Sequence, residues 1–183
     1  MTTTTNTATN TATKPRNAIR RAAHRIQHGY AGDKDRPLGG YVAVMGCYAA
    51  FLGVLTGVGR ALGIRLPERI GVQDTVLLCL ATHKASRLLS KDAVTSPLRA
   101  PFTRYEEPAG EGEVNESVRG TGARHAIGEL VSCPFCLGVW ISSGLTAGMV
   151  LAPRATRVVL TGLTAVAGSD AIQLLYDRAK PSS

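Results

Sequence analysis

The chain contains four apolar stretches, and polar or basic segments separate them. Residues 41–59 carry no charged side chain, and as a helix they would extend roughly 28 Å at about 1.5 Å per residue, close to the hydrocarbon thickness of a bilayer. Residues 135–152 are likewise uncharged, and residues 158–176 are interrupted only by Asp170. These three stretches predict transmembrane helices. The short connection at 153–157 predicts that the last two form an antiparallel hairpin.

The fourth stretch, residues 70–89, is ambiguous by hydropathy because His83, Lys84 and Arg87 occupy its second half. The distribution of Lys and Arg gives a second criterion, since cytoplasmic segments carry an excess of both residues. If this stretch spans with the N-terminus inside, 16 of the 21 basic residues lie on the cytoplasmic side; if it does not span, only 9 do. We therefore predict four spans, the second short or partly interfacial, with both termini and a loop at 90–129 in the cytoplasm.

The N-terminal region differs from the apolar part of the chain. Residues 1–13 are almost wholly Thr, Asn and Ala, which predicts a disordered low-complexity tail. In a basic juxtamembrane segment at 14–39, apolar residues such as Ile19 and Ile26 recur at helical spacing among arginines, which is typical of a basic amphipathic helix at a membrane surface. The fold prediction is this helix followed by an all-α polytopic bundle at 40–178 in the cytoplasmic membrane. A soluble helical interaction domain is the alternative.

The composition agrees with helices that pack closely in lipid. The chain has 20 glycines and only 5% aromatic residues, and small residues let helix backbones approach each other in a membrane. Gly53 and Gly57, and likewise Gly144 and Gly148, have the Gly-x-x-x-Gly spacing that predicts close helix crossing, within the chain or between copies. The net charge of +8 resides in segments that flank the apolar stretches. We therefore expect an anionic inner leaflet as its partner and no nucleic acid.

Two cysteines supply the clearest candidate chemistry. Cys133 and Cys136 form a Cys-x-x-Cys motif at the start of the third predicted span, where a helix N-terminus favours a thiolate. Three roles remain open for them: helix packing, thiol–disulfide exchange as an oxidoreductase, or, together with His125 and His83, a tetrahedral zinc site. The other two cysteines are single residues inside predicted helices. The chain therefore lacks the second pair expected of a protein that passes electrons across a membrane.

Asp170 is the only charged residue in the last predicted span, and an ionisable residue in such a place is a functional candidate. Its expected partners are Lys84, Arg87 or His83, with fixation of the helix register as the alternative role. The mixed charges of the 90–129 loop either dock a partner or form solvated surface.

Motifs of common enzyme classes do not occur in the chain: it has no Walker loop, dinucleotide fingerprint, nucleophile elbow or His-Glu-x-x-His helix. We therefore expect a non-enzymatic protein without a cofactor. It would act by helix packing or by binding itself or another membrane protein.

A series of short motifs resembles a bacterial protein family. The motifs are Thr-His-Lys-Ala-Ser-Arg-Leu-Leu at 82–89, Lys91-Asp92, Pro-Leu-Arg-Ala-Pro-Phe at 97–102, Gly128-Glu129-Leu130, and Cys-Pro-Phe-Cys-Leu-Gly-Val-Trp at 133–140. Together they resemble a family of small multi-pass integral-membrane proteins of unknown function, whose relatives include a sporulation-associated membrane protein. The Cys-x-x-Cys-x-Gly-x-Trp motif is its most specific part. The resemblance covers about residues 40–176 and implies a multi-pass membrane protein with no established activity.

Overall fold

The computed structural model describes residues 13–32 and 36–180, and the chain divides into two units after Leu38. The first unit contains the helix α1 (Thr13–Ala31), which lies where the sequence predicts a basic amphipathic helix. Its Ile26 and Tyr30 side chains are exposed. The predicted disordered tail at 1–13 lies outside the described residues, except for Thr13, which is the first residue of α1.

The second unit is mostly helical, and three of its helices are long and apolar enough to cross a membrane. They are α2, α6 and α7, which match the predicted spans, except that α6 ends one residue before the predicted end of its span. In each helix, at most 6% of the most apolar 18-residue stretch is buried. The second predicted span, residues 70–89, corresponds to α3, which has 19 residues but is not among the helices apolar enough to cross a membrane by composition alone. In chain order the elements are α2 (Leu38–Ala61), α3 (Val72–Ser90), α4 (Ser96–Arg99), β1 (Thr103–Gly110), β2 (Glu113–Val118), α5 (Gly122–Ser132), α6 (Pro134–Leu151) and α7 (Pro153–Ala179).

The helix α3 lies between α6 and α7 and packs on both of them. On the α6 side, a Cβ atom placed on Gly138 would lie 3.9 Å from the side chains of Thr82 and Ser86, an ordinary packing distance. On the α7 side, the hydroxyl of Thr164 donates a hydrogen bond to the carbonyl of Leu77 at 3.3 Å. Small side chains therefore let α3, which carries Asp74, Lys84 and Arg87, pack closely against both neighbouring helices.

Contacts along the helices define their directions. Asp74 pairs with Arg157 near the start of α3 and α7, and Lys84 pairs with Asp170 further along both helices. The helices α3 and α7 are therefore parallel. A single residue, Ala152, separates α6 from α7, so α6 turns back and runs antiparallel to both.

The connection between α6 and α7 is shorter than the sequence predicted. Residues 153–157 are already part of α7, because Pro153 has the fixed φ angle that suits the first position of a helix. The turn also needs Gly148: a Cβ atom there would lie 2.8 Å from the hydroxyl oxygen of Thr156. The predicted hairpin is present, with a tighter turn than expected.

The helix α2 packs on α6 through an aromatic contact and runs in the same direction. The hydroxyl groups of Tyr48 and Ser143 form a hydrogen bond of 2.8 Å, and the ring of Tyr48 packs against Trp140 with 5.1 Å between the ring centroids. One end of the same seam brings Gly59 next to Leu151. Along the chain, α2, α3, α6 and α7 therefore alternate in direction.

The prediction of an all-α fold is wrong in one segment, the loop at 90–129. This connection between α3 and α6 is folded, and we call residues 91–132 the cap. Its strands β1 and β2 pair as an antiparallel hairpin. The hairpin turn consists of Gly110, Glu111 and Gly112, whose φ angles are all positive (88°, 48° and 79°). Glycine at two of these positions adopts such angles without steric cost.

Close approaches hold the cap together and attach it to α2. A Cβ atom on Gly128 of α5 would lie 2.5 Å from a methyl carbon of Val118 and 2.8 Å from the carbonyl oxygen of Phe102. Similarly, a Cβ atom on Gly40 of α2 would lie 2.6 Å from the carbonyl oxygen of Gly122. The cap therefore sits at one end of the bundle, against the start of α2 and the end of α3.

Candidate functional site at the charged end of the bundle

Two ion pairs connect α3 with α7. Lys84 Nζ lies 2.8 Å from Asp170 Oδ2, so the structure gives Asp170 one of the three partners expected from the sequence. The Lys84 side chain is 16% exposed and that of Asp170 is 43% exposed, so the pair lies at the edge of the helix interface. Toward the other end, Arg157 donates two hydrogen bonds to the Asp74 carboxylate at 3.1 and 2.8 Å. The two pairs fix the register of α3 on α7.

Arg87 joins α3 to the cap and does not pair with Asp170. Its guanidinium donates hydrogen bonds to both carboxylate oxygens of Glu113, at 2.9 Å from Nε and 2.5 Å from Nη2. Beside this pair, a polar cleft of about 550 Å³ lies between α3, α7 and the hairpin turn. His83 and Lys84 line it together with Asp170. The charged residues expected inside the spans therefore surround one cleft near the cap.

Arg99 organises the cap, although the sequence did not single it out as a site residue. Its side chain is 1% exposed and donates hydrogen bonds to both carboxylate oxygens of Glu116, at 2.8 and 3.2 Å. It also donates to the carbonyl oxygens of Leu89 and Asp92 at 2.8 and 3.0 Å, and to the hydroxyl of Thr95. Helix ends leave backbone carbonyls without partners. Arg99 supplies partners at the end of α3.

The charge of Glu116 is stabilised by the same arrangement. Burial acts to raise the pKa of this carboxyl group, but hydrogen bonds and the positive charge from Arg99 act against it. Hydrogen bonds with the Thr103 and Ser96 side chains add to this effect, and the pKa of Glu116 falls below its ordinary value. Glu116 is therefore a buried carboxylate that the cap holds ionised.

The two cysteines of the Cys-x-x-Cys motif lie where the cap joins α6. Cys133 is the N-cap residue of α6, and its sulfur accepts a hydrogen bond from the backbone N–H of Cys136 at 3.3 Å. Burial acts to raise the pKa of Cys133, but hydrogen bonds from Cys136 and from the backbone N–H of Phe135, with the charge of Lys91, lower it below its ordinary value. Both cysteines are free thiols. The site thus favours the thiolate of Cys133.

The structure does not gather the four residues of the predicted zinc site. Within residues 13–32 and 36–180, no group of three or more His, Cys, Asp or Glu side chains is arranged to hold a metal ion. Instead, Nε2 of His125 lies 3.4 Å from Oε1 of Glu129, which is one turn further along α5. His83 lines the cleft between α3 and α7. The two thiols are therefore the part of the predicted ligand set that the fold brings together.

The two Gly-x-x-x-Gly motifs differ in their surroundings. A Cβ atom on Gly144 would lie 3.7 Å from the ring of Phe51 on α2, and Gly148 forms the tight contact with α7 described above. In contrast, no atom of the described residues lies within 4 Å of a Cβ atom placed on Gly53 or Gly57. The motif on α6 packs within the chain, whereas the motif on α2 faces outward.

Comparison with known proteins identifies the family. A family model described as "Protein of unknown function (DUF1360)" matches residues 77–176, more than half of the chain. The chain belongs to this family. The DUF1360 match begins within α3, includes the cap and α6, and ends near the C-terminus of α7. It therefore contains the ion pair of Lys84 and Asp170, the buried Arg99 and both cysteines of the motif, and it leaves out α1 and α2.

Two curated proteins of Bacillus subtilis (strain 168) resemble this DUF1360 protein. Sporulation protein YjcA is 38% identical over 96 residues, which are 51% of this chain and 80% of that protein. UPF0713 protein YngL is 28% identical over 107 residues, which are 57% of this chain and 78% of that protein. No solved structure matches the chain.

Proposed function

We propose that this protein is a four-span protein of the cytoplasmic membrane, with both termini and the cap on the cytoplasmic side. The alternating directions of α2, α3, α6 and α7 support this proposal, because successive spans must cross in opposite directions. The cap end of the bundle is also the end toward which the basic residues are concentrated, as cytoplasmic segments of membrane proteins are.

The position of α3 is the observation that carries the proposal. This helix carries the charged residues Asp74, Lys84 and Arg87 along its length, and a charged side chain facing lipid is costly. Its Asp74 and Lys84 pair with Arg157 and Asp170 of α7, and its Arg87 pairs with Glu113 of the cap. The helix can therefore cross a bilayer with its charges neutralised by neighbours, while α2, α6 and α7 present apolar side chains to the lipid.

Cysteine accessibility in intact cells tests this topology. A variant without native cysteines would receive one new cysteine, at Ser117 in the cap or at Glu68 between α2 and α3. We expect a membrane-impermeant maleimide to label the Glu68→Cys variant and to label Ser117→Cys only after the membrane is permeabilised. Labelling of Ser117→Cys in intact cells would reject the four-span arrangement.

The biochemical role that fits this arrangement is partner binding without catalysis. The cap is a folded unit whose hairpin displays exposed side chains on β1, among them Tyr105, which is 58% exposed. An exposed strand edge offers unpaired backbone groups to another chain. We propose that the cap docks a cytoplasmic segment of a second membrane protein or of another copy.

This chain is similar to a protein named for sporulation. We therefore expect that deletion of its gene in a spore-forming host would cause a sporulation phenotype.

Photocrosslinking in cells tests the docking role. A photoreactive phenylalanine analogue at Tyr105 should give a discrete crosslinked species that disappears when Glu106 and Glu107 of the same strand are changed to Lys. The matched control places the analogue at Val159, which is 51% exposed on α7, and should not give this species. Failure to obtain a discrete species from Tyr105 would remove the docking role of the cap.

Thiol–disulfide exchange is a second candidate function, favoured by the hydrogen bond from the Cys136 backbone to the Cys133 sulfur. In that reaction the Cys133 thiolate would attack a disulfide of a partner protein and release one partner thiolate. Cys136 would then attack the mixed disulfide, so that the chain gains an intramolecular disulfide and the partner disulfide becomes two thiols. Trapping with a Cys136→Ala variant should accumulate the mixed disulfide, and a Cys133→Ala variant should not. If neither variant traps a partner, this function is excluded.

A further inference from the structure

A groove between α2 and α6 lies away from the charged end of the bundle. It has a volume of about 690 Å³, within the roughly 300–1,000 Å³ typical of small-molecule sites. Leu52 and Leu55 of α2 form one wall, and Ala147 and Val150 of α6 form the other.

Four hydroxyl groups line the groove, on Thr56, Thr146, Ser142 and Ser143, and those of the two serines are already hydrogen-bonded. Ser142 and Ser143 line it, but both donate to the carbonyl of Val139, at 3.0 and 2.8 Å. They have little capacity left for a polar ligand. Because more than half of the residues that line the groove have aliphatic side chains, its interior favours an aliphatic chain.

Arg60 is the charged residue among the side chains that line the groove. It lies in the last turn of α2, directly after the uncharged stretch at 41–59. Arg60 forms no ion pair and no side-chain hydrogen bond with any residue in the ranges 13–32 and 36–180. An unpaired guanidinium at this level of a membrane would meet the phosphate groups of lipids, which it binds through paired N–H donors.

The end of α2 directs the chain back over the groove. The backbone N–H of Ile64 donates to the carbonyl of Gly59 and that of Gly63 to the carbonyl of Arg60, each at 3.0 Å, and Gly63 has a φ angle of 64°. This is the hydrogen-bond pattern of a Schellman C-cap, in which glycine adopts the left-handed conformation. As a result, Ile64 and Leu66 close the end of the groove beside Arg60.

From this arrangement we infer that the groove binds an anionic glycerophospholipid, with one acyl chain between α2 and α6 and its phosphate beside Arg60. The inference rests on the proposed membrane location. A second copy is a poorer occupant, because a two-fold interface centred on this groove would bring two Arg60 side chains together. The lipid instead supplies both the aliphatic chain and the negative charge that the groove lacks.

The single tryptophan of the chain, Trp140, reports on the site. It lies on α6 about one turn before the groove, and bromine atoms on lipid chains quench tryptophan fluorescence at short range. The full chain is reconstituted in vesicles that contain phosphatidylglycerol and phosphatidylcholine in one fixed ratio. In one sample part of the phosphatidylglycerol is brominated, and in the other an equal amount of the phosphatidylcholine is brominated. One favourable charge contact corresponds to about fivefold enrichment of the anionic lipid. We therefore expect clearly stronger quenching when phosphatidylglycerol carries the bromine.

Two pairs of variants locate the effect. Arg60→Gln should abolish the excess quenching, whereas Arg65→Gln, which changes an arginine outside the groove, should retain it. Ala147→Phe fills the groove and should also abolish the excess. Ala50→Phe makes the same change at an exposed position of α2 that does not line the groove, and should retain it.

The outcomes separate this inference from the proposed function. Equal quenching by the two brominated lipids would show that the chain lies in the bilayer without a selective site, and would overturn the inference alone. Equal loss of the excess in Arg60→Gln and Arg65→Gln would overturn it too, because general surface charge would then explain the enrichment. Absence of quenching by either lipid would contradict the membrane location itself.

Discussion

Arg99 and Glu116 form a two-point ion pair in which the side chains are only 1% and 5% exposed. Arg99 belongs to α4 and Glu116 to β2, so the pair joins the hairpin to the segment that follows α3. The same guanidinium binds carbonyl oxygens at the end of α3. The fold of the cap and the end of a bundle helix therefore depend on one side chain.

Replacement of Glu116 by Gln should destabilise the cap strongly. The substitution keeps the shape of the side chain but leaves the Arg99 charge buried without its counter-ion, and loss of one partner of a buried pair costs about 3–5 kcal/mol. Tryptic cleavage after Arg104, measured on the purified protein in detergent, should become much faster. Glu107→Gln changes an exposed carboxylate on β1 and should leave the cleavage rate nearly unchanged. Similar rates in the two variants would show that the buried pair does not stabilise the cap.

Acidification should loosen the same segment. Because the pKa of Glu116 is lower in the folded cap than its ordinary value of 4.5, its contribution to stability is fully present above pH 4.5. That contribution is lost as the pH falls below 4.5 and through the folded pKa. Hydrogen exchange of the β2 amides, corrected for intrinsic rates, should therefore show protection falling in this range. In Glu116→Gln the protection should be low already at neutral pH and should lack this step.

The cap also shows where sequence patterns are informative and where they are not. Long apolar stretches predicted three helices of membrane-spanning length, since such a stretch has few other stable arrangements. The charges between residues 90 and 129 indicated only solvated surface or a docking loop. The sequence could not show that Arg99 pairs with Glu116, because this pairing depends on a fold that brings separate elements together. A local signal for the hairpin was present: Gly110 and Gly112 separate two segments rich in strand-forming residues such as Tyr105 and Val114.

The candidate site was likewise predictable from the sequence only in part. The sequence identified Asp170 and Lys84 as a possible pair because both interrupt apolar stretches, and they are 2.8 Å apart. The sequence could not show whether Lys84 or Arg87 is the partner of Asp170, because the choice depends on how α3 is rotated about its axis between α6 and α7. For the same reason, the sequence grouped His83 and His125 with the cysteines, whereas His83 lines the cleft and His125 lies beside Glu129.

Removal of one charge from the Lys84 and Asp170 pair should weaken the contact between α3 and α7. Asp170→Asn leaves the mostly buried Lys84 without its counter-ion, which costs about 1–3 kcal/mol. The free energy of unfolding, measured in detergent micelles, should fall by that amount. Asp177→Asn removes an exposed ion pair with Lys180 on the same helix, with side chains 51% and 56% exposed, and such pairs contribute only about 0–1 kcal/mol. Equal effects of the two substitutions would contradict a specific role for Asp170.

Gly128 should not tolerate even alanine. The added methyl group would lie 2.5 Å from Val118 and 2.8 Å from the carbonyl oxygen of Phe102, and overpacking of this kind typically costs about 1–3 kcal/mol. Gly162→Ala is the matched control on α7, where a Cβ atom meets no described atom within 4 Å. The control should be neutral or slightly stabilising, because alanine favours a helix. A second substitution, Val118→Ala, should restore part of the stability lost in Gly128→Ala.

Cys133 should react with iodoacetamide at a lower pH than an ordinary thiol, because its pKa is lowered in the folded protein and the thiolate is the reactive form. The rate is measured by mass spectrometry between pH 6 and pH 10 in a variant that lacks Cys47 and Cys79. Lys91→Gln removes a positive charge that favours the thiolate, so the rise in rate should move to higher pH. Arg104→Gln removes a positive charge from the exposed strand β1 and should not move it. An identical shift in both variants would mean that the overall charge of the protein sets the pH at which Cys133 becomes reactive. A shift confined to Lys91→Gln would assign the control to the junction between the cap and α6.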